Sequence, residues 1–391
     1  MANKYTFVTT DLITGHVIDE LPLIGVQFGT VLNGIGSFTG KIPMTTDSNL
    51  RKRGLIGACE PARTGLYALQ NGLPVWAGII WTRSYDSQMK QITIGASEVM
   101  SYFQHRYITS TIDYQNIEQC AVVRDFFLTF GHITHGSFAG DGNLTLARLS
   151  IDNYNYVDLT NTGQLINFHV DYFQFLSLYD AFVQIHDNDN GFDWRVDTFT
   201  NTGNESGTSF IPNTEYLNTI RFGYPHIGVP SNKTGYVFEY PGNIINYTWP
   251  EDGSTVRTVT YGTGNGSGSS MLVSTVQGSD GSLLGYPELE SFASHKQVVQ
   301  QDILDSKTRQ DQLSLQRPNV LATITVKPDL EPYFGTYRVG DAVRVRIDDE
   351  RFNNDYNNKL DTLFRIVQTN FSLVNDSSPE TVTLTLGAVA Q

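Results

Sequence analysis

Gly285-Tyr286-Pro287-Glu288-Leu289-Glu290-Ser291-Phe292 begins the segment, running on to Ile347, from which the architecture is most easily read. Proline at a first helical position and an acidic first turn are helix-start signals. From Glu288 to Arg317 there is neither glycine nor proline, and Leu289, Phe292, Val299 and Ile303 recur at helical spacing. The spacing predicts one helix over 288–317, which at about 1.5 Å per residue would reach roughly 45 Å. Pro318 stops it. Strand-like Ala322–Lys327 and Val343–Ile347 follow, the second after the turn Gly340-Asp341. A long, mostly polar helix feeding a small β-domain reads as a connector, and no reaction is legible in it.

Working outward, the 391 residues suggest roughly two to four structural units. The 35 Gly, 20 Tyr and 22 Phe favour sheets and turns over helices. Lys+Arg 26 against Asp+Glu 40 gives a net charge of −14, which argues against nucleic-acid binding by a basic face and against an anionic-lipid site. Cys59 and Cys120 are the two cysteines, so a disulfide framework and a Cys/His zinc spacing are excluded. The start, Met-Ala-Asn-Lys-Tyr-Thr, lacks signal-peptide character, and no run approaches the length of a membrane helix. A protein made in a cytoplasm, soluble until it joins something, is expected.

Residues 1–97 read as an N-terminal β-barrel. Its clearest hairpin is Leu66–Gln70, then Asn71-Gly72, then Pro74–Trp81, because Asn-Gly supplies the two positive-φ residues of a type I′ turn. Residues 98–215 read as a mixed α+β domain, with Ser97-Glu98 capping a short helix and further helices at Ile117–Phe130 and Tyr172–Ile185. Residues 216–317 hold strands, the glycine-rich hairpin tip Gly262–Ser270 and the long helix. Residues 318–391 read as a C-terminal β-barrel, with strands of 216–249 available to it. Here Val343, Val345 and Ile347 alternate with Arg344 and Arg346, and Val382, Leu384 and Leu386 repeat the pattern. The fold class is therefore α+β, predominantly β: two small barrels, a mixed middle domain and a connecting helix. No sequence repeat relates the two ends.

Chemistry-bearing constellations are sparse. His132-Ile-Thr-His135 is the close histidine pair, but Ile133 stands where a zinc hydrolase needs Glu. Asp187-Asn-Asp-Asn-Gly191 resembles half of a calcium loop; its glycine falls one residue early and Thr198 holds the place of the bidentate glutamate, so it reads as an Asx-rich turn. Gly262–Ser270 lacks the Gly-Lys-Ser/Thr of a phosphate loop, and GxSxG and HExxH are missing. Of the four tryptophans, Trp76, Trp81 and Trp194 lie in strand-like runs that favour core use over sugar platforms, which leaves Trp249. No catalytic, cofactor-binding or metal residue is expected.

Several segments together carry a resemblance. They are Glu60–Tyr67 with Pro74–Trp81, Gly95–Phe103, Gly191-Phe-Asp-Trp-Arg195, Glu239-Tyr-Pro-Gly-Asn243 and Gly335–Val343. No one of them is specific, but in this order and spacing they resemble the minor tail proteins of long-tailed actinobacteriophages, over nearly the whole chain. Those proteins are similar in architecture to the baseplate hub of contractile phages. The resemblance implies a homotrimeric tail-tip hub of the virion with two related barrels per subunit. It also implies contacts to a distal tail ring protein, a tape measure protein and tail fibre or receptor-binding proteins, with DNA passing unbound. Some tail-tip hubs carry a peptidase or lysozyme domain after the barrels; this sequence reaches Gln391 directly after a strand, so none is expected within it. Two other classes compete: a tail-associated cell-wall hydrolase, which needs convergent carboxylates or a metal, and a host-carbohydrate-binding module.

Overall fold

The structure, a computed structural model, describes residues 4–44, 54–130, 162–187, 191–200, 216–278, 286–296, 298, 300–315, 321–352, 359–373 and 380–388. Strands dominate. The first set is β1 (Tyr5–Asp11), β2 (Val17–Glu20), β3 (Ile24–Val31), β4 (Ser37–Pro43), β5 (Thr64–Gln70), β6 (Leu73–Asp86) and β7 (Gln91–Glu98). Next come β8 (Ile112–Glu118), helix α1 (Gln119–Phe130), β9 (Leu165–Val170), helix α2 (Leu178–His186), β10 (Asp193–Thr200) and β11 (Tyr216–Gly223). The remainder is β12 (Val237–Tyr240), β13 (Ile244–Thr248), β14 (Val259–Thr263), β15 (Val273–Gln277), β16 (Glu290–Ser294), helix α3 (Gln301–Leu315), β17 (Ala322–Val326), β18 (Ala342–Ile347), β19 (Leu360–Leu373) and β20 (Thr381–Ala388). No helix among the described residues is long and apolar enough to cross a membrane.

The chain divides into two compact units, 1–247 with 324–391, and 248–323. In the larger unit the two ends of the chain share one 13-stranded sheet, with the path β13-β17-β20-β19-β3-β4-β7-β6-β5-β1-β2 and with β18 and β12 branching from β19. The sequence suggests a separate barrel at each end. Instead the pairings leave the sheet open and join the two strand sets, because β19 is long enough to hold two partners along one edge. Its first half pairs with β18 and its second half, Gln368–Leu373, with β3.

The two sets are built alike. In the meander β5–β6–β7, Ile79 lies opposite Gly65 and Ser97; in β18–β19–β20, Arg365 lies opposite Ala342 and Gly387. One rung earlier, Gly78 pairs with Leu66 and Glu98 as Phe364 pairs with Val343 and Ala388. One rung later, Ile80 and Ile366 keep register, Trp81 and Val367 bulge out, and Thr82 and Gln368 resume against Gly95 and Thr385. A bulge at the same rung of both ladders bends both long strands at the same place.

The segments between pack on the first set. Val122, Phe126 and Phe127 of α1 and Phe182 of α2 join Phe103, Trp194 and Phe222 in one apolar core. The helix suggested after Ser97-Glu98 forms as a short 3₁₀ segment, Val99–His105, but without a side-chain cap, since the Glu98 carboxylate is engaged by the Gly36 N–H. Tyr172–Ile185 is a 3₁₀ turn, Tyr172–Gln174, and then α2, broken at Phe175 in the left-handed region (φ 45°).

The smaller unit corrects the long helix. Among the described residues of 288–317, only Gln301–Leu315 is helical, about 22 Å. Glu290–Ser294 is instead strand β16, parallel to β14, with β15 antiparallel on the other side. Its cause is a partner about thirty residues back: the Thr258 hydroxyl accepts from Leu289 N–H, and the Thr260 hydroxyl meets that of Ser291 at 2.7 Å. Gln312 of α3 then reaches the Thr260 hydroxyl at 2.6 Å and donates to the Arg257 carbonyl.

Candidate functional site

Charged residues alternate along β10: Asp193, Arg195 and Asp197 share one face, while Trp194 on the other is fully buried in the aromatic core. That charged face lies where the two strand sets meet. The Asp193 carboxylate accepts from Asn33 (2.8 Å), at the end of β3, and from Arg365 (2.5 Å) on β19, with His226 at 3.0 Å. Arg195 lies 3.1 Å from Asp197 and donates to the Val339 carbonyl (2.9 Å). Asp197 in turn sits 2.7 Å from Arg221 and 2.8 Å from Arg338. Asp341 accepts from the Arg338 and Val229 N–H groups.

Electrostatics sort these groups. Burial alone would push the Asp197 carboxyl up, but Arg195, Arg338 and Arg221 together outweigh it and hold it below the usual carboxylate range. Asp193 is likewise lowered against its burial, by Asn33, Arg365 and His226. Glu98 goes the other way: burial, with a smaller contribution from the Asp197 charge, pushes it up to about 8 despite the Gly36 N–H. Glu98 therefore rests neutral at pH 7. The site tolerates it only because Gly36 has no side chain; a Cβ there would stand 2.1 Å from the Gly29 carbonyl oxygen and 2.8 Å from the Glu98 carboxyl carbon.

A neutral Glu98 and an ionised Asp197 on one cavity wall have the electrostatics of a glycosidase acid–base pair. The cavity, about 80 Å³, is far smaller than the roughly 300 Å³ that small-ligand sites begin at. Thr30, Thr369 and Tyr337 also line it, together with apolar residues such as Phe28, Trp76 and Phe334. Its chemistry is that of a clasp, in which ion pairs and hydrogen bonds of β10 tie Asn33, just beyond β3, on one side to β19 and the Arg338–Asp341 turn on the other.

Parts of four segments singled out in the sequence converge here: Pro74–Trp81 through Pro74 to Ala77, Gly95–Phe103 through Glu98, Gly191–Arg195 through Arg195, and Gly335–Val343 through Arg338 and Asp341. Glu239–Asn243 does not; there the Asn243 side chain ties its own turn to the Val237 and Glu331 carbonyls. His132 and His135 lie outside the described residues, as do residues 188–190 of the calcium-like run, while Asp187 ends α2. Among the described residues no group of three His, Cys, Asp or Glu could hold a metal. Trp76 and Trp194 are core residues, whereas Trp81 is half-buried and donates to the Ser101 hydroxyl. The clasp itself is not visible as a site in the sequence. Its one local signal is the Asp-x-Arg-x-Asp alternation around a tryptophan, since a charged face opposite an apolar one is common on any sheet.

No family model matches the sequence, and no curated protein matches it. Solved structures do match its shape. A 43 kDa tail protein of prophage MuSo2 from Shewanella oneidensis is similar at TM-score 0.58 and 10% identity, covering 98% of each chain. A tail protein from Neisseria meningitidis MC58 is similar at TM-score 0.57 and 11% identity, over 98% of this chain and 96% of that one. The fold is one found in tail proteins. A prophage tail protein from Listeria monocytogenes EGD-e extends the set, at TM-score 0.52 and 13% identity over 98% and 95%. At such identities the agreement is one of strand arrangement rather than of side chains.

Proposed function

We propose that the chain is a structural protein of a phage tail, a homotrimeric hub at the tail tip. In this role it joins a six-fold distal ring protein to three-fold tip components, with the tape measure protein and fibre or receptor-binding proteins as neighbours. The observation that carries the reading is the duplicated meander: a chain with two like strand sets lets three copies present six similar faces to a ring above while the rest keeps three-fold symmetry. Segment 1–97 is one repeat and 318–391, with strands of 216–249, the other; 98–215 and the remainder of 216–317 are the parts without a counterpart. Likeness to tail proteins over nearly the whole chain supports the same role. The ordered segments favour a long-tailed phage of actinobacteria. A net charge of −14 suits a conduit through which DNA passes without sticking. No bond-making step belongs to this role.

The test is antibody-gold electron microscopy on intact particles of the phage that encodes the chain. Label confined to the tail tip is expected. Label along the tube, on the head or only on lysed-cell debris would overturn the placement.

A further inference from the structure

The smaller unit is patterned inside out. On one face of its sheet, Thr260 meets Ser291 of β16 and Gln312 of α3. Beside it, a Cβ at Gly262 would stand 2.0 Å from the Thr308 hydroxyl oxygen, so α3 lies close against this face. The side chains enclosed there are largely polar, with Thr260, Thr308, Gln312 and Ser274 all buried. The other face alternates with it along each strand. Its middle row is Thr275, Tyr261 and Phe292, side by side on β15, β14 and β16, and the next row is Val273, Thr263 and Ser294. Here the larger apolar groups meet water, Phe292 being 69% and Val273 53% exposed. Burying hydroxyls while leaving an aromatic ring in solvent is not what folding alone selects, and it marks a contact surface.

Size and chemistry choose the occupant. Three strands about 4.8 Å apart, each five residues long at about 3.3 Å per residue, span on the order of 14 by 16 Å. That is roughly 230 Å², well under the about 800 Å² that each partner gives to a stable protein contact. It is the footprint of a short oligosaccharide. Aromatic area is confined to the middle row and hydroxyls flank it, Thr275 at its end and Thr263 and Ser294 in the next row. The Tyr261 hydroxyl donates to the Glu290 carboxylate at 2.8 Å, which holds the ring in place. We propose that this face binds a short stretch of neutral polysaccharide, its C–H faces on Phe292 and Tyr261 and its hydroxyls bonded to the flanking side chains. Glu290 is the one charged residue on the face, and the chain carries −14, so an anionic glycan is disfavoured. The inference goes beyond the hub role and stands or falls separately from it.

Saturation-transfer NMR on the full chain tests it, with neutral tetrasaccharides of glucose, galactose, mannose and arabinose as probes. At least one is expected to receive saturation at its ring C–H protons. Phe292→Ala is expected to weaken that sugar's binding several-fold, up to about tenfold, with an unchanged melting midpoint because the ring is exposed. Phe292→Tyr is expected to keep the binding. Phe173→Ala removes a comparably exposed ring elsewhere, 62% exposed, and is expected to leave it unchanged. Saturation of none of the four sugars overturns the proposal, as does binding that survives Phe292→Ala or falls equally with Phe173→Ala. Self-association lost with Phe292→Ala also overturns it, by giving the face to a second copy. None of these outcomes moves the gold label from the tail tip, which tests the hub alone.

Discussion

The two meanders share a ladder and differ in what covers it. Around the bulges at Trp81 and Val367 the backbone pairings agree rung for rung, yet Trp76 stands where the other set has Thr362, and Ile79 where it has Arg365. Past the bulge, β19 is covered by β3, whereas among the described residues β6 pairs only with β7. There Tyr85 of β6, 61% exposed, stands at the rung of Phe371 of β19, 1% exposed. The lesson is that register and bulge position, which are backbone properties, persist across the two halves while side chains are free to answer to different neighbours. Arg365 serves the clasp; Ile79 serves a core.

The largest expected effect breaks that comparison at one rung. Phe371→Ala should cost about 3–5 kcal/mol, as for other buried aromatics, whereas Tyr85→Ala should stay within about 0.5 kcal/mol in dilute solution. Urea melts of both variants check it, and equal losses would mean that the rungs are not environmentally distinct. Next is the clasp. Asp197→Ala strands three arginines at a carboxylate site that is 3% exposed and should cost about 3–5 kcal/mol. Gly29→Ala attacks the junction itself, since its Cβ would stand 2.3 Å from the Thr369 carbonyl oxygen. A loss of about 1–3 kcal/mol is expected from such overpacking.

A subtler change sharpens the clasp by pH. Glu98 ionises near 4.5 when unfolded and at about 8 when folded, so its contribution is full below pH 4.5 and is lost as pH rises toward 8. The wild-type chain should lose stability over that window by up to about 1.4 kcal/mol per pH unit from this residue. Glu98→Gln should remove that slope and gain on the wild type between pH 5 and 8. Asp193 and Asp197, both lowered, act oppositely: they stabilise above the ordinary carboxylate range and cease to do so in acid, in both proteins. Melts at pH 5, 6.5 and 8 that run parallel for the two proteins would remove Glu98 from the account. The smallest effect is on the outer face of β18, where Arg344 grips Asp361 at 2.6 and 2.8 Å in the open. Asp361→Asn should leave the melting midpoint within experimental scatter, because exposed ion pairs are screened by water and salt.

What could be read from sequence was local. Asn71 and Gly72 take positive φ, 53° and 85°, as the hairpin reading required. Val343, Val345 and Ile347 are fully buried against exposed Arg344, and Val382, Leu384 and Leu386 are likewise buried. What could not be read depends on distant partners. Leu289 and Phe292 fit a helical spacing as well as a strand, and only pairing with β14 decides between them. The clasp joins Asp193 to Arg365, 172 residues away, and neither residue announces the other. A β-rich unit at each end was legible, but their rung-for-rung match was not, because it lies in pairings between strands distant in sequence.

The most direct test of the duplicated-repeat hub is the mass of the purified full chain by native mass spectrometry across a concentration series. A dominant species at three times 43.6 kDa, dissociating to monomer without a populated dimer, is the expected result. A stable dimer, or monomer at every concentration, would contradict a ring of three chains and six like faces.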